Sequence, residues 1–323
     1  MSLRRQHDSA PTASAPAPGT PSPAVERLAA EFILGFLTHN AALSGGDFLD
    51  GTLRIAILDA NIAHLRADLE IGRRYAEFDH GPPDELRRAV SINALAGSLA
   101  LPFETTRRRV HALADRGMVT LTPDGVILTL AQLSGEDMRS FAQWIYDALV
   151  RLHHDLVALA PDFAATRPQT PMDGAEAKAP PLRAVARATM GYVLRYLESA
   201  RPVAGDLISA IVFLALAVGS VEHITHAQDA SDAFSRPGVM VPDTDRRRLT
   251  VKAVADRLGL PFETVRRRVN SLVAQGLCTR DRQGLYIPAS VLMSPVIVAH
   301  RAADAANLHR LFATVVRLGL KLD

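Results

Sequence analysis

At 323 residues the chain is long enough for about two domains, each with its own hydrophobic core. Its 48% hydrophobic and 22% charged residues exclude a largely disordered polypeptide, and a net charge of only +2 excludes a uniformly basic surface. The single cysteine, Cys278, excludes an internal disulfide and a cysteine-based zinc cluster; a core or strand thiol in a reducing cytoplasm is the expectation.

Residues 1–24 run through Ser, Ala, Pro and Thr without the apolar stretch of a signal peptide, and are expected to form a disordered tail. A first half, residues 25–160, begins with helices around Phe32–Leu37 (FILGFL) and Phe48–Ile71, the latter carrying Arg54, Asp59 and Asn61. Ser91 then caps a short helix, INALAGSL, because its hydroxyl accepts from an otherwise orphan N–H. After a turn at Ala100, Pro102 suits the first position of a second helix, and Gly117 marks its stop. Short strands are predicted at Met118–Leu121 and Val126–Thr129 around a turn at Thr122–Gly125, followed by a closing helix at Met138–Leu159.

Pro, Gly and charged residues over 161–181 predict a linker. The second half, residues 182–323, repeats the order. Its upstream helix, Leu207–Ala227, is nearly apolar, but the run Leu207–Val221 falls short of the roughly 20 residues that span a bilayer, so a buried helix and no membrane association are expected. This helix is suited to pairing with the other half or with a second chain, or to lining a small-molecule effector pocket. Thr250 caps VKAVADRL, Gly259 makes the turn, Pro261 opens a helix ending at Gly276, and strands follow at Leu277–Arg280 and Leu285–Pro288.

The two halves are related in sequence. Leu99–Gly117 reads LALPFETTRRRVHALADRG and Leu258–Gly276 reads LGLPFETVRRRVNSLVAQG, an offset of 261 − 102 = 159. The same offset carries Gly46-Asp47 onto Gly205-Asp206, His64 onto His223 and Gly125 onto Gly284; Phe32–Leu37 matches Tyr192–Leu197 after a one-residue shift. The expected fold class is mainly α with small β wings, in two duplicated halves, each a set of helices plus a winged helix-turn-helix.

A wheel at about 100° per residue assigns Phe103, Thr106, Val110, Leu113 and Ala114 to the core, with Phe262, Val265, Val269, Leu272 and Val273 in the second copy. The opposite face then presents Glu104, Thr105, Arg108 and Ala112, and Glu263, Thr264, Arg267 and Ser271. Arg109, His111, Arg268 and Asn270 flank it, while Arg107 and Arg266 fall nearer the buried side and would have to reach outward to a phosphate. Such a face suits a major groove: Arg bonds guanine, Glu accepts from cytosine, and flanking cations hold phosphates.

The stretch LGLPFETVRRRVNSLVAQGL resembles the helix-turn-helix of bacterial winged-helix regulators of the GntR, Crp and MarR type. The resemblance covers about the second third of each half and implies recognition helices at Pro102–Arg116 and Pro261–Gln275. Two modules in one chain depart from those families, and no cyclic-nucleotide or acyl-ligand domain is evident.

Charge is divided unequally. Residues 87–129 hold six basic and three acidic residues, 6 − 3 = +3, and residues 246–288 hold ten and three, 10 − 3 = +7. Arg280 and Arg282 in the second wing align with Leu121 and Pro123, so the second module is expected to dominate phosphate binding. Neither His153-His154 nor His223 with His226 is expected to bind metal, no cofactor is called for, and the absence of a Gly-rich phosphate loop or nucleophile elbow argues against an enzyme. The function expected is a cytoplasmic, sequence-specific double-stranded DNA-binding transcription regulator, acting as one pseudo-twofold chain or as a homodimer. Its rivals are a plasmid-type replication initiator and a winged-helix protein-interaction factor.

Overall fold

A computed structural model describes residues 22–65, 68–160, 163, 179–227, 233–236 and 238–318. The expected tail therefore lies almost wholly outside the described residues, as does most of the expected 161–181 linker. The tail's last residues are ordered, however. Ser22 accepts from Ala24 N–H, and Pro23 and Ala24 lie in the first turn of α1 (Pro23–Ala42).

The molecule is mainly helical with two small antiparallel sheets. α1 packs against α2 (Phe48–Ile62), α6 (Glu136–Leu159) and α8 (Leu207–Thr225), and α7 (Leu182–Ala204) packs against α2, α6, α8 and α12 (Pro295–Arg317). A single apolar cluster runs through these helices, with Ile33, Phe36, Ile57, Val193, Ile211 and Phe312 wholly inside it. Each such side chain contributes about 1.5–3 kcal/mol on leaving water, which explains why helices so distant in sequence share one core. The expected helix over Phe48–Ile71 is in fact broken at Ile62, and α3 (Leu69–Arg74) begins separately behind the Asp68 cap. α8, at 19 residues, has the length and apolarity of a membrane span, but most of it is buried within the protein.

Carried on this bundle are two units of similar construction. In the first, α4 (Ile92–Leu99) turns into α5 (Phe103–Asp115), followed by β1 (Thr120–Thr122) and β2 (Gly125–Ile127). In the second, α9 (Val251–Leu258), α10 (Phe262–Ala274), β3 (Thr279–Arg280) and β4 (Leu285–Tyr286) follow in the same order. α4 and α9, and likewise α5 and α10, begin and end 159 residues apart. The caps operate as the sequence indicates: Ser91 Oγ accepts from Ala94 N–H at 3.1 Å and Thr250 Oγ1 from Ala253 N–H at 3.0 Å. Gly117 and Gly276, at φ 69° and 71°, end α5 and α10 by letting Met118 and Leu277 N–H reach back to Leu113 and Leu272 C=O.

The hairpins are shorter than expected, but each gains a third strand position that the sequence did not suggest. Val90 bridges Val126 and Leu249 bridges Leu285. At the hairpin turn, Gly125 (φ 138°) and Gly284 (φ 146°) lie so close to that added strand that a Cβ would sit 2.5 Å from Val90 O and 2.7 Å from Leu249 O. Only glycine fits there.

The inter-helix turn supplies a direct test. Gly259 and its counterpart Ala100 are both left-handed, at φ 62° and 47°, and Ala100 has the only non-glycine positive φ among the described residues. Ala100→Gly is expected to raise stability by about 1 kcal/mol and Gly259→Ala to lower it by a similar amount, read as opposite shifts of the thermal midpoint.

Candidate nucleic-acid interface

α5 and α10 each bury one stripe and expose the other. Thr106, Val110 and Leu113, and Val265, Val269 and Leu272, are fully enclosed. Phe103 and Phe262, expected in the core, are instead 49% and 51% exposed. The wheel angle was sound, but these rings stand on the first turn, which is open to solvent rather than packed into the core. They are apolar protrusions at the mouth of the unit.

The arginine triplets divide by what holds them. Contrary to expectation, Arg107 and Arg266 are exposed; each doubly bonds the glutamate one turn before it, Arg107 to Glu104 at 2.7 and 2.9 Å and Arg266 to Glu263 at 2.6 and 2.8 Å. These bonds hold both glutamate carboxyls below the usual range, so they stay ionised and occupied. Arg109 and Arg268, expected as flanking phosphate contacts, point back into the protein. Arg109 Nη1 meets Asp47 at 2.9 Å and Asp50 at 2.6 Å, and Arg268 Nη1 meets Asp206 at 2.7 Å. Asp47 and Asp206 are the N-caps of α2 and α8, so one carboxylate both caps a bundle helix and clips the exposed helix to it. Asp50 is 6% exposed and also takes Arg116, which makes it a central anchor.

Arg108 and Arg267 remain. Both are exposed, and among the described residues neither forms a hydrogen bond or ion pair. His111 is exposed beside Arg108; Thr105, Thr264 and Ser271 are half-buried, and Ser271 Oγ accepts from Gln275. Asn270 does not stand free, since its Oδ1 accepts from Arg280 at 2.9 Å across to the second hairpin. Arg282 projects from the tip of that hairpin, where Asp281 folds the turn by accepting from Gln283 and Gly284 N–H.

Counting partners refines the charge asymmetry. In the first unit Arg87, Arg107, Arg109 and Arg116 each face a carboxylate, leaving Arg88 and Arg108. In the second, Arg246, Arg248, Lys252, Arg257, Arg266 and Arg268 are paired, leaving Arg247, Arg267, Arg280 and Arg282 without an ion pair among the described residues. Arg87 and Arg246 are 8% and 4% exposed and belong to the interior, not to a basic face. Arg88 and Arg247, one strand before the short helices, were not singled out from the sequence. Their repetition at the 159-residue offset, with exposed side chains in both copies, was the available signal.

Asn61 fixes the first hairpin to the bundle. Wholly buried, it donates to Arg88 O at 2.8 Å and Val126 O at 3.0 Å and accepts from Leu128 N–H at 2.9 Å. Its counterpart at 61 + 159 = 220, Ser220, bonds Leu216 O in its own helix instead.

Cys278 is buried at the base of the second hairpin, and burial pushes its thiol up to about 11, as befits a packing residue. His153 is buried against Phe312, while His226 meets Glu31 at 3.1 Å; no cluster of three metal-ligating side chains occurs among the described residues. No family model, curated protein or solved structure matches this chain.

Proposed function

We propose that this chain is a sequence-specific double-stranded DNA-binding transcription regulator, built by internal duplication, in which each unit is a winged helix-turn-helix and α5 and α10 are the recognition helices. The observation that carries the reading is the pair Arg108 and Arg267, presented at equivalent positions of two exposed helices beside two hairpins, while their neighbours in each triplet are engaged by carboxylates of the same chain. An arginine held clear of partners on a stiff helix suits bidentate bonding to guanine, and the hairpins flank it as wings. In this reading the exposed Arg88, Arg247, Arg280 and Arg282 hold phosphates and set register.

Mapping bound fragments of the source genome tests the regulatory reading. Enrichment upstream of promoters is expected; enrichment at repeated origin sequences would replace it with a replication initiator.

The second unit should contribute more of the phosphate affinity. Replacing Arg280 and Arg282 by Ala is expected to flatten the plot of log affinity against log salt by roughly one to two units, at about 0.9 per phosphate. Leu121→Ala with Pro123→Ala, which removes no charge at the equivalent wing, should leave the slope unchanged.

A further inference from the structure

Two cavities, each walled by both halves, match in lining positions and have diverged in chemistry. One, about 60 Å³, lies among α2, α6 and α7; the other, about 130 Å³, lies among α1, α7, α8 and α12. Offsets of 159 residues, and 160 for α1 against α7, superpose their linings: Leu133 on Leu292, Arg87 on Arg246, Ile62 on Val221. In the first cavity the corresponding wall is apolar, with Phe141, Ala142, Ile145 and Ala186, and Phe78 lies across it under the Arg183 guanidinium. In the second those four positions are His300, Arg301, Asp304 and Glu26. Leu58 of the first cavity becomes Ala217 in the second, which opens space.

Burying four polar groups at positions that are apolar in the sister cavity is costly unless something compensates them. The compensation within the chain is incomplete on the acceptor side. Arg301 bonds Glu26 Oε2 at 2.6 Å and Leu292 O at 3.1 Å, and Arg246 bonds Val241 O at 3.0 Å with Asp243 at 3.6 Å, so these cations are engaged. Asp304 is 8% exposed and faces the buried Tyr192 hydroxyl, but its Oδ1 has no hydrogen-bond partner; Glu26, with Arg27 as a second cation near it, leaves its buried Oε1 unpartnered as well. His300 shares a hydrogen bond with Ser199 at 3.0 Å, and burial beside Arg301 lowers its pKa to about 4, so at neutral pH it adds no positive charge.

We propose that this second cavity is a binding site for a small organic cation, a compact apolar body bearing a primary amine or amidinium, whose N–H groups bond Asp304 Oδ1 and Glu26 Oε1 while its body fills the space between Phe213, Ala217 and Ile297. The volume resembles that of an apolar cavity of about 150 Å³ that accepts benzene, which limits the body to about one ring. Burial, with the Glu26 charge nearby, pushes the Asp304 carboxyl up to about 7 despite the Tyr192 hydroxyl, so a cation bound there would favour its ionised form. Val241 and Arg246 line the cavity and begin the segment that runs through Arg247 and Leu249 into α9. The use of this site as an effector site, resting on the DNA-binding reading, follows from that connection.

Calorimetric titration of the full chain with benzylamine, without DNA, tests the site. Saturable binding with Kd at or below about 1 mM is expected, with benzoate and toluene at least about tenfold weaker. Asp304→Asn should weaken benzylamine at least about tenfold, and Ala217→Leu, which installs the residue of the sister cavity, should do the same in a chain whose thermal midpoint is not lowered. Absence of saturable benzylamine binding, equal binding of benzoate, or unchanged affinity in Ala217→Leu would overturn the proposal. Duplex affinity measured with and without saturating benzylamine tests the coupling: a change of at least about threefold is expected, and no change would remove the effector role. A chain that binds benzylamine but no duplex would refute the regulator reading and leave the site standing.

Discussion

Replacing Arg108 and Arg267 together by Ala is expected to lower duplex affinity by about 100-fold and to flatten discrimination between cognate and scrambled sites, with the helical circular dichroism unchanged. Each guanidinium is exposed and forms no hydrogen bond or ion pair among the described residues, so its removal leaves no orphaned group inside the protein. The magnitude follows from two base contacts at about 1–3 kcal/mol of discrimination each. Arg107→Ala with Arg266→Ala is the matched comparison. Those side chains are occupied by Glu104 and Glu263, so their loss should cost far less. If the two double variants behave alike, the division of the triplets into free and tied members is wrong.

Asn61→Ala should be the most damaging single change near the first hairpin, costing about 3 kcal/mol. It leaves the Leu128 N–H without its acceptor and strips a donor from Arg88 O and Val126 O in a closed interior, and each unsatisfied buried group costs about 1–3 kcal/mol. Val126 O keeps a second donor in Val90 N–H, which holds the total below the full sum. Ser220→Ala at the equivalent place removes only a bond to Leu216 O in its own helix and should cost less than about 1 kcal/mol. Thermal midpoints of the two variants check the contrast; equal losses would show that the hairpin is not held through Asn61.

What was legible in the sequence had local causes. The caps at Ser91 and Thr250, the stops at Gly117 and Gly276 and the hairpin glycines at Gly125 and Gly284 each answer to backbone geometry within a few residues. The burial of Val110, Leu113, Val269 and Leu272 follows from a 3.6-residue period. What was hidden depends on partners far along the chain. A helical wheel contains no information that Asp47 and Asp50 capture Arg109 across 62 and 59 residues, or that the first turn of α5 is left open so that Phe103 is exposed. It was also silent on Arg280 reaching Asn270, because that bond joins a helix to a hairpin. The repeat itself held an unused clue to one of these: Asp47 with Arg109 and Asp206 with Arg268 recur as pairs at the common offset.

The division of charge between the two units depends on such distant partners as well. Counting residues gave the second unit an excess of 7 − 3 = 4 positive charges over equal windows. Discounting those facing a carboxylate leaves four arginines against two, and the difference is Arg280 and Arg282 on the hairpin. Paired cations on a surface retain little field at physiological salt, so on the proposed reading the unpaired set is expected to govern phosphate affinity.

Selection of bound duplexes from a random pool, carried out with the full chain at about 0.15 M salt, tests the central claim most directly. The account predicts enrichment of a bipartite site whose halves lie one helical turn, about 10 to 10.5 base pairs, or a multiple of it apart, with guanine at the position lost when Arg108 and Arg267 are replaced. A pool that emerges with no sequence enriched over its starting composition would contradict it.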